Sequence, residues 1–380
     1  MAGALVRTNI VSTLASMGLD ALRETIVLAK TTNRSYEQDL SNGVRRNQTV
    51  DIAIPAAVAV RTVTPDVVPP AVTAITPTNV SLTMDQHEEA PFILDDQALI
   101  KVDRGIVPMQ LTEAVKAVAN GIDNHIWGKV TAAAGVYGFA GTAGTTPFGT
   151  DLTEFTDARK VFLDQLGPLD EDNVFFVFDT AVDANTLNLD QVTNAASRGD
   201  GGRTKLRGEI GSVLGARWIM SQNVPTHSQT AAGTILVNDA GTTIGDGTLT
   251  WDGGGTQPAV GDIFTVDGDT QTYQVQSATA TVITMLPASK VAWANSAVVT
   301  FKGSYVANLL YHRNFLAFAM APLLESNLLR NEDAAIAFDE ELGMGLRVEL
   351  TKQHHQYQWT VDAMYGAVIV RPEYAVIVAG

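Results

Sequence analysis

Residues 108–134 read PMQLTEAVKAVANGIDNHIWGKVTAAA. Leu111, Val115, Val118, Ile122, Ile126, Val130 and Ala133 follow one another at steps of three or four. That spacing lines them along one stripe of an α-helix. Gln110, Glu113, Asn120, Asp123, Asn124 and Lys129 fall on the other face, suited to water or a neighbouring subunit. Pro108 fits the first turn, where a missing N–H is no loss, and Gly135 and Gly138 mark the end. The stretch predicts about 40 Å of helix at 1.5 Å per residue. Gly121 weakens it by roughly 1 kcal/mol relative to Ala, so packing must hold it. Taken alone, this is a long core helix.

Upstream, residues 18–31 (GLDALRETIVLAKT) predict a modest amphipathic helix with Leu19, Leu22, Ile26 and Val27 on its apolar side. The polar run TNRSYEQDLSNGVRRNQ after it has too little apolar content for a core and reads as an arm seeking its partner elsewhere. Residues 49–102 are β-branched and partly alternating, broken by Pro65 and Pro69-Pro70, which stop strands. They predict a two-armed β excursion that returns just before the long helix. An isolated ribbon is marginal in water, so it is expected to lie on a neighbouring molecule. A small sheet folded back on its own domain is the alternative.

Composition sets the bounds. A chain of 380 residues, 46% of them hydrophobic, can hold two or three real cores. It has no cysteine, so disulfides and cysteine-held metals are excluded. The formal charge of −16 and a pI near 4.7 argue against gripping nucleic acid through its phosphates. Polar residues interrupt the first segment, so it lacks a signal-peptide core, and apolar runs such as Phe315–Leu324 are too short to span a bilayer. A soluble protein made and used in the cytoplasm is expected.

Downstream, 138–150 reads as a flexible loop, 153–166 as a helix with Phe155, Ala158, Phe162 and Leu166 inward, and 174–179 as a strand buried on both faces. A helix around 181–189, a loop with Arg198, Arg203, Lys205 and Arg207, a helical turn at EIGSVLG and a central strand at ARWIMSQNVP complete an α/β unit over 150–225. Residues 226–302 change style, with short strands at 234–237, 248–251, 262–266, 272–275, 281–286 and 297–301. Asp267-Gly268 is a hairpin signal between two of them. A small β barrel or sandwich follows from that pattern, inserted into the α/β unit that resumes at 308–323. The last residues predict closing β segments.

Motifs for chemistry are missing: there is no Walker loop, GxSxG elbow, HExxH or EF-hand pattern. The loop at 199–203 lacks the following Lys-Ser/Thr of a phosphate cradle. His354 and His355, adjacent in a predicted strand, point to opposite faces and cannot readily share a metal. Asp339, Glu340 and Glu341, like Glu88-Glu89, read as solvated faces. The basic residues at 198–207 read as a subunit contact or a solvated loop. No catalytic, cofactor-binding or metal-binding residue is assigned, and no enzyme is predicted.

The order of elements, and the phrases NRSYEQDLSNGVRRNQTVDIAIP (33–55), VSLTMDQHEEAPFILDD (80–96), VGDIFTVDG (260–268), NLLYHRNFLAFAMAPL (308–323) and DAMYGAVIVRPEYAVIV (362–378), carry a resemblance over essentially the whole chain. The sequence resembles the major capsid proteins of tailed bacteriophages, the Hong Kong 97-like fold, and within them the podoviral coat proteins with an inserted β domain (the phage P-twenty-two type). The resemblance implies an α+β fold with an N-arm at 1–48, an E-loop at 49–102, and a spine helix at 103–137. It also implies P-domain strands at 336–380, an A-domain at 150–225 and 303–335, and an inserted all-β barrel or sandwich at 226–302. It implies pentamers and hexamers closing into an icosahedral shell around double-stranded DNA, assembled in the host cytoplasm and residing in the virion. It also implies a procapsid that expands, with scaffolding and portal proteins as partners; a decoration protein is compatible with the resemblance but is not implied by it.

Two departures refine that expectation. Some members join subunits through a Lys–Asn bond with the lysine on the E-loop. Here there is no lysine between Lys30 and Lys101 and no asparagine after Asn331, so a non-crosslinked shell is expected. No long helical extension precedes the arm, so scaffolding is expected to be a separate protein. Three other readings compete: an encapsulin-like nanocompartment of the same fold, a β-domain binding module using Trp251, Tyr273 and Trp293 as stacking faces, and a hydrolase.

Overall fold

The computed structural model describes residues 13–22, 26–35, 47–56, 58, 60, 76–95, 106–131, 136–170, 172–194, 203–238, 242–321, 334–339 and 344–380. The expected helix over 18–31 is two pieces, α1 (residues 13–22) and α2 (Leu28–Thr31), with Ile26 and Val27 outside both. The break has a cause in space: a carboxylate from a distant helix caps the start of α2, as described below.

The β excursion likewise divides. β1 (Thr49–Ile54) and β2 (Thr78–Thr83) form an antiparallel ribbon, but the chain then breaks at Met84-Asp85 and starts β3 (Gln86–Asp95) in another sheet. The Pro65 and Pro69-Pro70 tip lies outside the described residues. The base of the ribbon folds onto its own chain, where Ile52, Leu82 and Met84 pack with Ala317, Ala319, Ala321 and Met364. Farther out, Val58 and Val60 are exposed.

The long helix is α3 (Ile106–Thr131). Leu111, Val115, Val118, Ile122, Ile126 and Val130 are all buried, each adding roughly 1.5–3 kcal/mol by leaving water. Ala133 lies outside the described residues. The polar face holds for Gln110, Glu113, Asn120 and Asn124. Asp123 is the correction: it is buried, because the packed stripe is wider than the seven-residue reading and takes in Ala119 and Trp127. A Cβ at Gly121 would meet the Glu88 carboxylate of β3, the far end of a flexible side chain that would have to swing aside.

After α3 come β4 (Gly138–Gly141), α4 (Thr153–Asp164), β5 (Val174–Phe178), α5 (Thr180–Asn188), α6 (Asp190–Thr193) and α7 (Arg203–Arg207). The short strands β6 (Ser212–Val213), β7 (Ala216–Met220) and β8 (Thr226–His227) follow. Two expectations fail here. Residues 138–141 are a strand, not loop, because they pair in parallel with the end of the chain, β20 (Ala375–Ala379). EIGSVLG is no helical turn: β6 and β7 form a tight hairpin through Leu214 and Gly215, both at positive φ.

Six strands, β9 (Ile235–Val237), β10 (Thr248–Asp252), β11 (Ile263–Val266), β12 (Tyr273–Ala278), β13 (Val282–Leu286) and β14 (Val298–Phe301), close into a barrel in the order β10-β13-β12-β11-β14-β9. Each lies within the expected segment or a few residues of it. β15 (Tyr305–His312) then enters a seven-stranded sheet, β4-β20-β15-β5-β7-β6, with β8 beside β15. β16 (Leu316–Ala321) leaves it for the second large sheet, β16-β19-β18-β17, so the described residues 305–321 are shared between two sheets.

That second sheet contains β17 (Ala334–Asp339), β18 (Met344–Gln353) and the long β19 (Gln356–Ile369). β3 pairs along Gln356–Tyr365 of β19 and β16 along Met364–Ile369. His354 and His355 are therefore the turn of the β18–β19 hairpin, not strand residues, and His355 takes a φ of +56° to make it. The spine-like α3, the arm helices and the inner faces of both large sheets share one core, which includes Val361, Tyr365, Leu309 and Ile377. On the far side of the seven-stranded sheet, α4 covers an aromatic cluster of Phe148, Phe155, Phe176, Phe178 and Trp218.

Candidate functional site

The fold positions a set of joints around α3. The first ties down the arm. Asp123 accepts the backbone N–H of Val27 through Oδ2 and that of Leu28 through Oδ1, both at 3.2 Å. These are donors that a helix start leaves without an internal partner. Burial pushes the Asp123 carboxyl up to about 6, against the opposing pull of the backbone N–H groups and of Lys30. The Thr31 hydroxyl hydrogen-bonds that of Tyr311 on β15. Asn33 then bridges to β16, its N–H to Leu316 O at 3.0 Å and its carbonyl to Phe318 N at 3.1 Å. The arm from Ile26 to Ser35 is thus threaded over helix and sheet.

The second joint holds the excursion. Gly366 of β19 lies so close to the Thr83 carbonyl at the end of β2 that a Cβ would overlap it. Beside it, Arg347 on β18 donates twice to Asp362 on β19, at 2.9 and 2.8 Å, and His87 Nε2 of β3 donates to the same carboxylate at 2.7 Å. Asp362 is buried. Three strands are therefore pinned to one charge.

The third joint seats the barrel. Gly261, at a φ of +92°, approaches the end of α3, where a Cβ would lie 2.5 Å from the Thr131 carbonyl. Tyr305 donates its hydroxyl to Gly261 O at 3.0 Å, and the Val136 N–H goes to Gln274 Oε1 at 2.8 Å. Next to it the buried Asp262 accepts from His227 Nε2 at 2.8 Å and from Ala259 N at 2.9 Å. This His–Asp pair resembles catalytic hardware, but its carboxylate is spent on backbone N–H groups and its role is to fix the 259–262 turn.

The residues singled out from sequence scatter. Lys205 and Arg207 are exposed on α7, while Arg198 and the side chain of Arg203 lie outside the described residues. Asp339 ends β17; Glu340 and Glu341 lie outside the described residues. Among the described residues no three His, Asp or Glu side chains gather as metal ligands, and no helix is long and apolar enough to cross a membrane. Trp251, Tyr273 and Trp293 are buried in the barrel, so they are core and not stacking faces. Asp269 accepts from Tyr273 Oη at 2.5 Å and Trp293 Nε1 at 3.1 Å. Sequence reasoning missed Asp123, Asp262 and Asp362, each of which has a partner at least 35 positions away (Leu28, His227 and His87) that leaves no local spacing to find.

No protein-family model matches the sequence, and no curated protein matches it either. Solved structures share its fold. A structure from Mycobacterium phage Che8 is 17% identical, covers 93% of this chain and 90% of its own, and superposes with a TM-score of 0.50. The capsid structure of the cyanophage P-SCSP1u is 14% identical, with coverage of 93% and 88% and a TM-score of 0.51. A virus-like particle from Pyrococcus furiosus is 10% identical, with 96% and 97% covered and a TM-score of 0.46. The fold is that of phage capsid structures, the Hong Kong 97-like fold.

Proposed function

We propose that this chain is the major capsid protein of a tailed double-stranded DNA phage, a structural subunit whose copies close into an icosahedral shell. The observation that carries the reading is the shared fold with the cyanophage capsid structure over 93% of the chain. The β1–β2 ribbon is consistent with it: its base is anchored at home while Val58 and Val60, just past β1, are exposed.

In this reading 1–48 is the N-arm, 49–102 the E-loop, 103–137 the spine helix with 336–380 as P-domain strands, 150–225 and 303–335 the A-domain, and 226–302 an inserted barrel of the phage P-twenty-two type. The shell is not crosslinked, relies on a separate scaffolding protein, carries a portal, matures by expansion of a procapsid, and takes a decoration protein where one is encoded. Assembly proceeds in the host cytoplasm and the mature location is the virion.

Electron microscopy of the chain expressed with and without its neighbouring genes tests this. Closed shells of phage-capsid size, regular only with a scaffolding gene, are expected. Uniform small shells from this chain alone would assign it instead to a cellular nanocompartment, and monomers or dimers under every condition would sink the shell reading.

A further inference from the structure

Two exposed faces of the seven-stranded-sheet unit carry leucines that the single chain leaves uncovered, and the faces are opposite in charge. The first is the turn leaving α4. Leu163, Leu166 and Leu169 are exposed there, among the exposed Asp164, Asp170 and Asp172. Leu166 is 86% exposed and holds a φ of +60°, a left-handed position that glycine or asparagine ordinarily takes at a helix end. A leucine there strains the backbone and buries nothing within its own chain. The second face is α7, where Leu206 is 83% exposed between the exposed Lys205 and Arg207, while Thr204 turns inward.

The end of α4 lies at one edge of the sheet, and α7 leads into the other. Val161 and Gln165, near the end of α4, press on Gly138, the first residue of the edge strand β4. α7 leads through residues 208–211 into β6, the other edge. Within one molecule Leu166 and Leu206 are 86% and 83% exposed, so neither face covers the other. A second copy can cover them.

We propose that the acidic leucine turn of one copy seats against Leu206 of the next, with its aspartates facing Lys205 and Arg207. The inference rests on the shell reading and names a contact within that shell. Charge complementarity within one sequence selects a second copy as the occupant, because each molecule supplies both halves. A contact between two different faces is head-to-tail, and repeated by rotation it closes into a ring. Opposite charges fix the register and speed the encounter, and the leucines supply burial.

The cysteine-free chain allows a direct test. The double variant Leu166→Cys/Leu206→Cys, expressed as the full chain with its neighbouring genes and oxidised, is expected to give a ladder of covalent multimers longer than dimers. Leu166→Cys or Leu206→Cys alone gives none. Asp170→Lys/Asp172→Lys alone, or Lys205→Glu/Arg207→Glu alone, slows assembly about tenfold at low salt, and the four changes together recover most of the rate. Closed shells with no ladder would overturn the contact while leaving the shell reading intact, as would dimers from a single-cysteine variant. If the unmodified chain forms no shells, the shell reading falls. The double-cysteine protein then still decides the contact: a ladder in solution supports it and its absence overturns it.

Discussion

Asp123 Oδ1 accepts the backbone N–H of Leu28 at 3.2 Å, joining the middle of the long helix to the arm 95 positions earlier. The carboxylate is buried and its pKa is raised to about 6, chiefly by loss of solvent. Since the folded pKa lies above the unfolded one, the folded chain holds the proton more tightly. That contribution to stability is fully present below about pH 4 and is lost as pH rises through about 6. Over that window it amounts to on the order of 2–3 kcal/mol. Denaturant titrations of the parent chain and Asp123→Asn at pH 4.5 and pH 7.5 check this. The stability difference between them should move against the parent by one or two kcal/mol from the lower to the higher pH, and an unchanged difference would refute the assignment.

At the Asp362 joint, the sign of a substitution depends on which partner remains. Arg347→Met leaves a buried carboxylate with His87 as its remaining side-chain partner among the described residues, and losing one member of a buried ion pair costs about 3–5 kcal/mol. Adding Asp362→Leu removes the stranded charge and is expected to recover much of that loss. Equilibrium unfolding of the single and double variants reads the difference directly. A double variant no better than Arg347→Met would mean that shape, and not charge, governs this site.

Inside the barrel, Asp269 serves two buried donors, the Tyr273 hydroxyl and the Trp293 indole. Burial and the Asp269 charge hold that hydroxyl protonated well above the usual tyrosine range. Asp269→Ala strands both donors at about 1–3 kcal/mol each, whereas Asp269→Asn keeps an acceptor and loses less. In a background with Trp127, Trp218 and Trp359 changed to Phe, tryptophan emission during denaturation follows the barrel through Trp251 and Trp293. The alanine variant should redden at lower denaturant than the asparagine variant.

What the sequence revealed follows the range of each interaction. The stripe of α3 and the alternating barrel strands are local periodicities, so they could be read with near-correct limits. Asp123 could not be placed, because a carboxylate beside an apolar stripe carries no mark of the arm that will need its oxygens. Nor could β4, whose Gly-rich GFAG becomes a strand only by pairing with the last residues of the chain. The turn at His354-His355 has no turn chemistry of its own and is imposed by the register between Gln353 and Gln356. The joints around α3 all lie in this long-range class, which is why the fold was legible and its fastenings were not.

The joint between barrel and long helix can be tested with two glycines that share a backbone state but not surroundings. Gly261 has a φ of +92° and no room for a Cβ, which would meet the Thr131 carbonyl at 2.5 Å and His227 Cε1 at 2.9 Å. Gly268, in the β11–β12 turn, has a φ of +84° and open space around it. Gly268→Ala should therefore lose only the left-handed backbone penalty, about 1–2 kcal/mol. Gly261→Ala adds overpacking of about 1–3 kcal/mol, and it disturbs the turn that brings Asp262 to His227 and Ala259. Denaturation midpoints should rank the parent above Gly268→Ala and Gly268→Ala above Gly261→Ala. Limited proteolysis should open the chain near the barrel boundary only in the Gly261 variant. Equal losses at the two positions would show that the close approach to Thr131 does not hold the barrel in place.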